Sequence, residues 1–283
     1  MITLKNERLT VNISELGAEI KSVVKGGVEY MWDGRPEVWS GTAPIMFPIC
    51  GGLKDDKFIF EGKEYTLKKH GYARNTVFEV ENVNDTSATF LHRSSEKTKE
   101  SYPFDYELRI KYTLEDNCIK SEATVENKSD KAMYFNIGFH EAYYTPEGIE
   151  DYDVIFDENE TLRAAVLCGP LLSDSETVIL KDSKVLPLYD RYFAIDALVF
   201  KNGISSHAAT LRNRRNGRAI RVEFPNCDHF LIWHKYAAPY ICLEPWNGIP
   251  DVVGSSYELT EKEGITSLAV NEKYINTHVI TFM

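Results

Sequence analysis

The chain has 283 residues, of which 43% are hydrophobic and 12% aromatic, enough for a large core and too many for a disordered or fibrous protein. Its formal net charge is -11. A nucleic-acid-binding surface is therefore not expected, because neutralising phosphates needs a dense basic face.

Five cysteines are spread along the chain without a C-x-x-C spacing, at Cys50, Cys118, Cys168, Cys227 and Cys242. An odd number of widely separated cysteines predicts reduced thiols rather than a disulfide framework or a zinc site. The first residues lack the apolar run of a signal peptide, and no stretch reaches membrane-spanning length. We therefore predict a cytoplasmic protein that associates with neither membranes nor nucleic acids.

An alternation of apolar and polar residues with a period of two begins near the N-terminus, at residues 9–13. It returns in two short runs, 58–60 and 65–67, which flank the turn-forming Glu61-Gly62-Lys63. Such alternation is typical of strands with one buried and one wetted face.

The longest alternation covers residues 107–126 and is interrupted only by Glu115-Asp116-Asn117, which predicts a β-hairpin. Residues 220–224 predict a further strand. Turn signals recur about every 8–12 residues, the spacing of antiparallel sandwiches and barrels. Residues 150–188 are less regular, and we expect them to form long connections over one sheet. With no helical periodicity, repeat or low-complexity tract, the sequence predicts one all-β domain spanning residues 1–283.

Polar residues interrupt apolar surroundings in three places, K-K-H-G-Y-A-R (68–74), Y-F-N-I-G-F-H-E (134–141) and Y-I-C-L-E-P-W-N-G-I-P-D (240–251). In the third segment Glu244 closes an apolar strand. A carboxylate there must be either paired or held for chemistry, because desolvating a lone carboxylate is costly.

Each of these segments alone has a structural interpretation, such as a satisfied histidine or a capped turn. Together, His70, His140 and Glu244 can supply a general acid and a general base, and the neighbouring aromatic rings can stack on a sugar. The same three residues could ligate a metal as a facial triad. The H-x-H spacing of a cupin-like site is absent from the sequence, so a metal is not expected.

Several motifs resemble those of the aldose 1-epimerase (galactose mutarotase-like) superfamily, in the same order along the chain. The catalytic-region motifs are H-G-Y-A-R (70–74), N-I-G-F-H (136–140) and E-P-W-N-G-I-P-D (244–251). Motifs similar to the LacX-like branch are G-A-E-I-K-S (17–22), M-W-D-G (31–34), A-P-I-M-F-P-I-C-G (43–51) and F-A-I-D-A-L-V-F (193–200).

The resemblance implies a large antiparallel β-supersandwich and an enzyme that interconverts the α and β anomers of a hexose or related aldose. It implies that Glu244 is the base that takes the C1 hydroxyl proton. His140 would be the acid that protonates the ring oxygen, and His70 would hydrogen-bond the same region of the sugar. No cofactor or metal is implied. A homodimer is kept as an expectation for the assembly.

The family also carries a sugar-binding Asp on a late strand. Asp196 is the candidate, because it lies in an apolar alternation that would otherwise exclude it. Asp190 is the weaker candidate, since the neighbouring Arg191 offers a local ion pair. Trp246 and Tyr72 are the aromatic residues expected to contact the sugar, whereas Trp32 and Trp39 are expected in the core or at the rim.

This sequence departs from the family pattern at a position where relatives often have an arginine. Relatives often carry an Arg in the segment after F-P-I-x-G, where this chain has Gly52, and we expect Arg74 to take over sugar binding. The basic run at residues 211–218 could hold a sugar phosphate, but the turn pair Asn216-Gly217 favours an ordinary hairpin. Three functions stay open: a mutarotase, a non-catalytic carbohydrate-binding protein, and a hexose-6-phosphate 1-epimerase.

Overall fold

The structure is a computed structural model that describes residues 1–194 and 196–283. Its strands run, in chain order, as β1 Ile2–Lys5, β2 Leu9–Ser14, β3 Glu19–Lys25, β4 Val28–Glu29, β5 Ile45–Met46, β6 Lys57–Phe60, β7 Lys63–Thr66, β8 Glu79–Val83, β9 Ser87–Arg93, β10 Tyr106–Glu115, β11 Cys118–Asn127, β12 Met133–Phe135, β13 Ile137–Phe139, β14 Glu141–Tyr144, β15 Tyr152–Glu160, β16 Arg163–Cys168, β17 Leu171–Val178, β18 Ser183–Pro187, β19 Leu198–Phe200, β20 Ala208–Asn213, β21 Ala219–Glu223, β22 His229–Trp233, β23 Tyr240–Asn247, β24 Thr266–Leu268 and β25 Lys273–Phe282.

Two large antiparallel sheets dominate, as the sequence predicts. A nine-stranded sheet has the order β18-β15-β20-β21-β25-β11-β10-β9-β8. The facing sheet has the order β17-β16-β19-β22-β23-β13-β5, and β14 also pairs with β23. A four-stranded sheet, β1-β2-β3-β4, and the pairs β12-β24 and β6-β7 complete the fold. The helices are short: α1 at Glu96–Lys99 and five 3₁₀ turns, at Lys54–Asp56, Ala73–Asn75, Ile149–Asp151, Asp190–Phe193 and Leu259–Glu261.

The predicted hairpins are confirmed. β10 and β11 pair antiparallel from Tyr106 opposite Asn127 to Glu115 opposite Cys118, and their inward residues are buried. β6 and β7 pair across Glu61 and Gly62, so that Lys63, expected in the turn, already belongs to the second strand.

The expectation of long connections over residues 150–188 is wrong. The segment holds four strands, β15 to β18, and two of them, β17 and β18, end the order of their sheets. An edge strand exposes much of its surface, and β17 is exposed at four of its eight positions. Its polar sequence therefore conceals the alternation by which inner strands are recognised.

The central strand of the functional site is β23. All eight of its residues, Tyr240–Asn247, are buried. The face that points between the two large sheets carries Ile241 and Leu243, which belong to the main apolar core. The opposite face lies beneath two smaller apolar clusters, one containing Cys242 and the other Trp246. Glu244 lies between them on the same face. No helix among the described residues is long and apolar enough to cross a membrane.

Candidate active site

The sheet register brings His140 and Glu244 together. β14 pairs with β23 so that Glu141 is opposite Leu243, which sets the preceding His140 beside Glu244. His140 Nε2 lies 3.5 Å from Glu244 Oε2. The two side chains are 9% and 1% exposed, so this polar pair is almost completely removed from bulk water.

His70 approaches the same place from a tight turn. Both His70 and Gly71 have positive φ angles, 68° and 65°. A Cβ on Gly71 would lie 2.2 Å from the Phe47 carbonyl oxygen, so only glycine allows this approach. The backbone N–H of Gly51 donates to His70 Nδ1 at 3.1 Å. Because Nδ1 accepts, the proton of a neutral His70 lies on Nε2, which leaves that nitrogen as a donor.

The three side chains of the predicted set are therefore neighbours. The His70 ring lies edge-on to His140, with 5.8 Å between centroids, and edge-on to Trp246 at 5.6 Å. They line a cleft of about 260 Å³. Such a volume suits a small ligand.

Burial controls the electrostatics of these groups, because a desolvated site disfavours the charged form of each. It raises the pKa of Glu244 well above the usual value, although the positive charge of Lys69 opposes this shift. It lowers the pKa of His140 to about 3, assisted by the charge of Lys69. It also lowers the pKa of His70 well below its usual value, with smaller effects of His140 and Lys69.

The cleft lining also includes charged residues. Asp196 and Arg74, both predicted to bind the sugar, line the cleft together with Lys69. Lys69 Nζ is 3.9 Å from the Asp196 carboxylate, and Arg74 donates to the Lys69 carbonyl oxygen at 3.0 Å. Asp196 has a φ of 118°, a conformation that costs free energy for any residue with a side chain. The neighbouring Ile195 lies outside the described residues.

Aromatic rings hold the imidazole of His140. Trp39 stacks on it with 5.1 Å between centroids and an interplanar angle of 29°. Trp233 meets it edge-on at 5.4 Å. Trp246 lines the cleft as predicted, and its buried indole N–H has no hydrogen-bond partner within the described part of the chain. The cleft thus combines apolar ring faces with polar groups, a composition that suits a ligand with both apolar and polar surfaces.

Not every predicted residue reaches the cleft. Tyr72, expected to contact the sugar, is absent from the cleft lining within the described ranges. Its hydroxyl lies 2.9 Å from the hydroxyl of Tyr106, and its ring packs on the main core. Its side chain points away because it follows His70 by two residues through a turn and not along a strand. Trp32 is fully buried in the core, as expected.

Sequence reasoning missed Lys69, Trp39 and Trp233 as lining residues. Lys69 directly precedes His70, and that adjacency was the available signal. Trp39 was expected in the core or at the rim, and nothing local to it indicates a partner 101 residues away, His140. Contacts between distant segments carry no signal in a single sequence.

The other sequence candidates have structural roles. Asp190 does not pair with Arg191; it accepts from His234 Nε2 at 2.6 Å. In the basic run, the predicted hairpin turn is confirmed, because Gly217 N–H donates to the Asn213 carbonyl at 3.0 Å. Arg215 pairs with Asp151 at 2.8 Å, away from the cleft.

The structure leaves little room for a side chain at Gly52, where relatives often have an arginine. A Cβ at this position would lie 2.7 Å from Pro170 Cβ, in the turn between β16 and β17, and both Pro170 and Gly169 line the cleft. The turn fills the space where an arginine was expected. The hairpin can therefore take this position because residue 52 is a glycine, and a side chain at residue 52 would require the hairpin to move.

The residues that could hold a metal differ from the triad considered from sequence. Within the described chain, one group brings its donor atoms within 4.8 Å of one another: His140, Cys242 and Glu244. His70 is not a member. This group includes both His140 and Glu244, the two buried side chains that lie 3.5 Å apart.

Comparison with known proteins agrees with the motifs. The family model described as aldose 1-epimerase matches residues 1–263. Protein LacX of Lactococcus lactis subsp. lactis (plasmid) is 34% identical over 100% of this chain and 99% of its own. The structure of a galactose mutarotase related enzyme from Lactobacillus acidophilus is 34% identical with a TM-score of 0.93, covering 100% of this chain and 97% of its own. A galactose mutarotase-like protein from Lactobacillus casei ATCC 334 is 28% identical, with a TM-score of 0.93 and full coverage of both chains.

Proposed function

Since the chain belongs to the aldose 1-epimerase family, we propose that it interconverts the α and β anomers of a hexose or related aldose without a cofactor. The observation that carries this proposal is the buried pair of His140 Nε2 and Glu244 Oε2, 3.5 Å apart at the cleft surface. An acid and a base at one point are what ring opening and closing of a sugar require.

The reaction uses the pair in both directions. Glu244 takes the proton of the C1 hydroxyl, His140 gives a proton to the ring oxygen, and the C1–O5 bond breaks to leave an open-chain aldehyde. Rotation about C1–C2 exposes the other face of the carbonyl. The ring oxygen then attacks, returning its proton to His140, while Glu244 returns its proton to the new C1 hydroxyl. Atoms and charges balance over the cycle.

His70, Asp196, Arg74 and Trp246 are proposed to hold the sugar. His70 Nε2–H is the donor left over after Gly51 has used Nδ1, and it suits the ring oxygen or an adjacent hydroxyl. Asp196 and Arg74, which also line the cleft, offer an acceptor and donors for sugar hydroxyls. Trp246 provides an indole N–H and an apolar surface at the cleft.

Polarimetry tests the proposal directly. Freshly dissolved α-glucose, α-galactose and a panel of other aldoses should reach anomeric equilibrium faster with protein than without, and treatment with a chelator should leave the rate unchanged. If no aldose responds but one binds in calorimetry, the chain is a carbohydrate-binding protein and the catalytic proposal is wrong.

One observation favours a phosphorylated substrate as the second candidate. Lys69 and Arg74 both line the cleft, and two cations beside one sugar site exceed what neutral hydroxyls require. Glucose 6-phosphate should then mutarotate at a higher kcat/KM than glucose. Salt should weaken this preference, because charge attraction is screened. Equal or lower kcat/KM for the phosphate ester would contradict the second candidate. The cytoplasmic location and the homodimer stay predictions.

A further inference from the structure

Cys242 lies next to the acid–base pair. Cys242 and Glu244 are two residues apart on β23, and side chains at that spacing share one face of a strand. His140 directly precedes β14, whose first two residues pair with Leu243 and Cys242. One donor atom of each residue lies within 4.8 Å of the others. The donor set is thus a nitrogen, a sulfur and an oxygen.

These donors are short of partners. Glu244 Oε2 and His140 Nδ1 are buried and accept or donate no hydrogen bond within the described chain. Both residues are almost completely buried, so water does not readily satisfy them. Cys242 is fully buried. Glu244 Oε2 is thus a buried, unpartnered carboxylate oxygen with a nitrogen and a sulfur donor nearby, an arrangement that a bound cation would satisfy.

The chemistry of the donors selects the ion. Zinc in proteins is bound by Cys sulfur, His nitrogen and carboxylate oxygen, and three protein ligands leave one position for water. Magnesium and calcium instead require several oxygen donors, of which this cluster has one carboxylate. A thiolate further favours thiophilic ions over hard ones.

We propose that His140, Cys242 and Glu244 form a binding site for zinc and related thiophilic divalent ions, and that an ion bound there inhibits the enzyme. Binding replaces the thiol proton of Cys242, and any proton on Glu244, with the metal; the released protons go to solvent. With the ion in place, neither His140 nor Glu244 can exchange protons with a sugar. Affinity should therefore rise with pH. The binding stands apart from the proposed function, whereas the inhibition rests on it.

Direct binding is tested with purified protein freed of metal by chelation. Zinc binding is measured by equilibrium dialysis, and cobalt is used as a spectroscopic substitute. Wild type should bind one ion per chain and show a thiolate-to-cobalt charge-transfer band in the near ultraviolet. Magnesium should neither bind at similar concentrations nor compete.

Three cysteine variants separate the site from other buried thiols. Cys242→Ala should lose the charge-transfer band and weaken zinc binding by at least about 100-fold, because losing even a residue that only orients a zinc ligand costs about 10- to 100-fold. Cys50→Ala is the matched control, since Cys50 is equally buried but outside the cluster. It should bind zinc as wild type does. Cys242→Ser, which preserves volume, should behave as Cys242→Ala if the thiolate is the ligand.

Inhibition is then measured as the ratio of anomerisation rates with and without zinc for each variant. Wild type and Cys50→Ala should be inhibited, with sugar protecting, and Cys242→Ala should be spared. Equal zinc affinity in wild type and Cys242→Ala would overturn the site. If zinc binds as described but no sugar turns over, the metal site stands and the proposed function fails.

Discussion

Burial shifts the pKa values of the two residues of the proposed acid–base pair in opposite directions. Glu244 is held towards its neutral acid and His140 towards its neutral base, because a desolvated site disfavours charge on either. With one proton between them, the pair is neutral as a whole. Moving that proton from Glu244 to His140 creates the carboxylate and the imidazolium that the proposed reaction needs. At 3.5 Å the two groups are near enough to make this exchange with a small side-chain movement.

The pH dependence of kcat/KM should reflect this shared proton. Because the pKa of His140 is lowered to about 3, a second proton is not added near the usual histidine value. Because burial raises the pKa of Glu244, the shared proton is lost at a higher pH than an ordinary glutamate would lose it. We expect no loss of kcat/KM between about pH 7 and pH 5, after correction for the uncatalysed rate, and a decline at higher pH. A loss centred near pH 6.5 on the acid side would contradict the shared-proton mechanism.

Removing the base should abolish most of the activity without unfolding the protein. Glu244→Gln preserves shape and cannot take the C1 proton, so kcat should fall by about 10²- to 10⁴-fold in polarimetry. The exposed Glu7→Gln serves as the control and should retain the wild-type rate. A Glu244→Gln variant that folds and keeps its rate would remove Glu244 from the role of base.

Residues with an unusual local setting were predictable from the sequence, whereas residues that join by tertiary contact were not. His70, His140 and Glu244 each interrupt apolar surroundings, and all three line the cleft. Trp39 reaches His140 through a loop far away in the sequence, and no local pattern indicates that contact. Tyr72 shows the converse error, because proximity in sequence to His70 does not determine where its side chain points.

At the scale of elements, the turn that carries His70 is built around Gly71. The substitution Gly71→Ala would place a Cβ 2.2 Å from the Phe47 carbonyl oxygen, and a φ of 65° disfavours any side chain. Gly62→Ala is a matched control, with a φ of 75° and no atom within 4 Å of the added Cβ. Both variants incur the conformational cost of about 1 to 2 kcal/mol, and Gly71→Ala should lose about 1 to 3 kcal/mol more through overlap.

Urea unfolding and polarimetry measure the two effects of Gly71→Ala. The free energy of unfolding should fall more in Gly71→Ala than in Gly62→Ala, and only Gly71→Ala should also lose activity, because its turn positions His70. Equal free energies of unfolding for the two variants would mean that the close approach to Phe47 does not constrain this turn.

Elements differ in how far the sequence predicts them. Inner strands such as β10 and β11 alternate because one face packs on the core and the other meets solvent. β23 lacks alternation because both of its faces are covered. The polar edge strand β17 and the turn that bears Pro170 were not predicted, although that turn closes one side of the cleft. Edge strands are recognised by their neighbours, which a single sequence does not show.

At the scale of the whole molecule, buried histidines link stability to pH. Burial lowers the pKa of His140 to about 3 and of His92 and His229 to about 4, and lowers that of His70 well below its usual value. At pH values between these lowered pKa values and about 6.5, the histidines of the unfolded chain bind protons that those of the folded chain do not bind. The free energy of unfolding therefore falls as the pH falls. Glu244 acts in the opposite sense, because its raised pKa keeps it protonated in the folded state above the pH at which it ionises in the unfolded chain.

The histidines outnumber the glutamate, so the net effect should be a loss of stability in acid. We expect the melting temperature to fall from about pH 7 to pH 5, each histidine contributing up to about 1.4 kcal/mol per pH unit of unfolding free energy. Glu244→Gln removes the opposing contribution and should steepen the decline, which calorimetry across this range would measure in both proteins. A melting temperature that is constant or rises towards pH 5 would show that these imidazoles are protonated in the folded protein, and an unchanged slope in Glu244→Gln would show that Glu244 is ionised there.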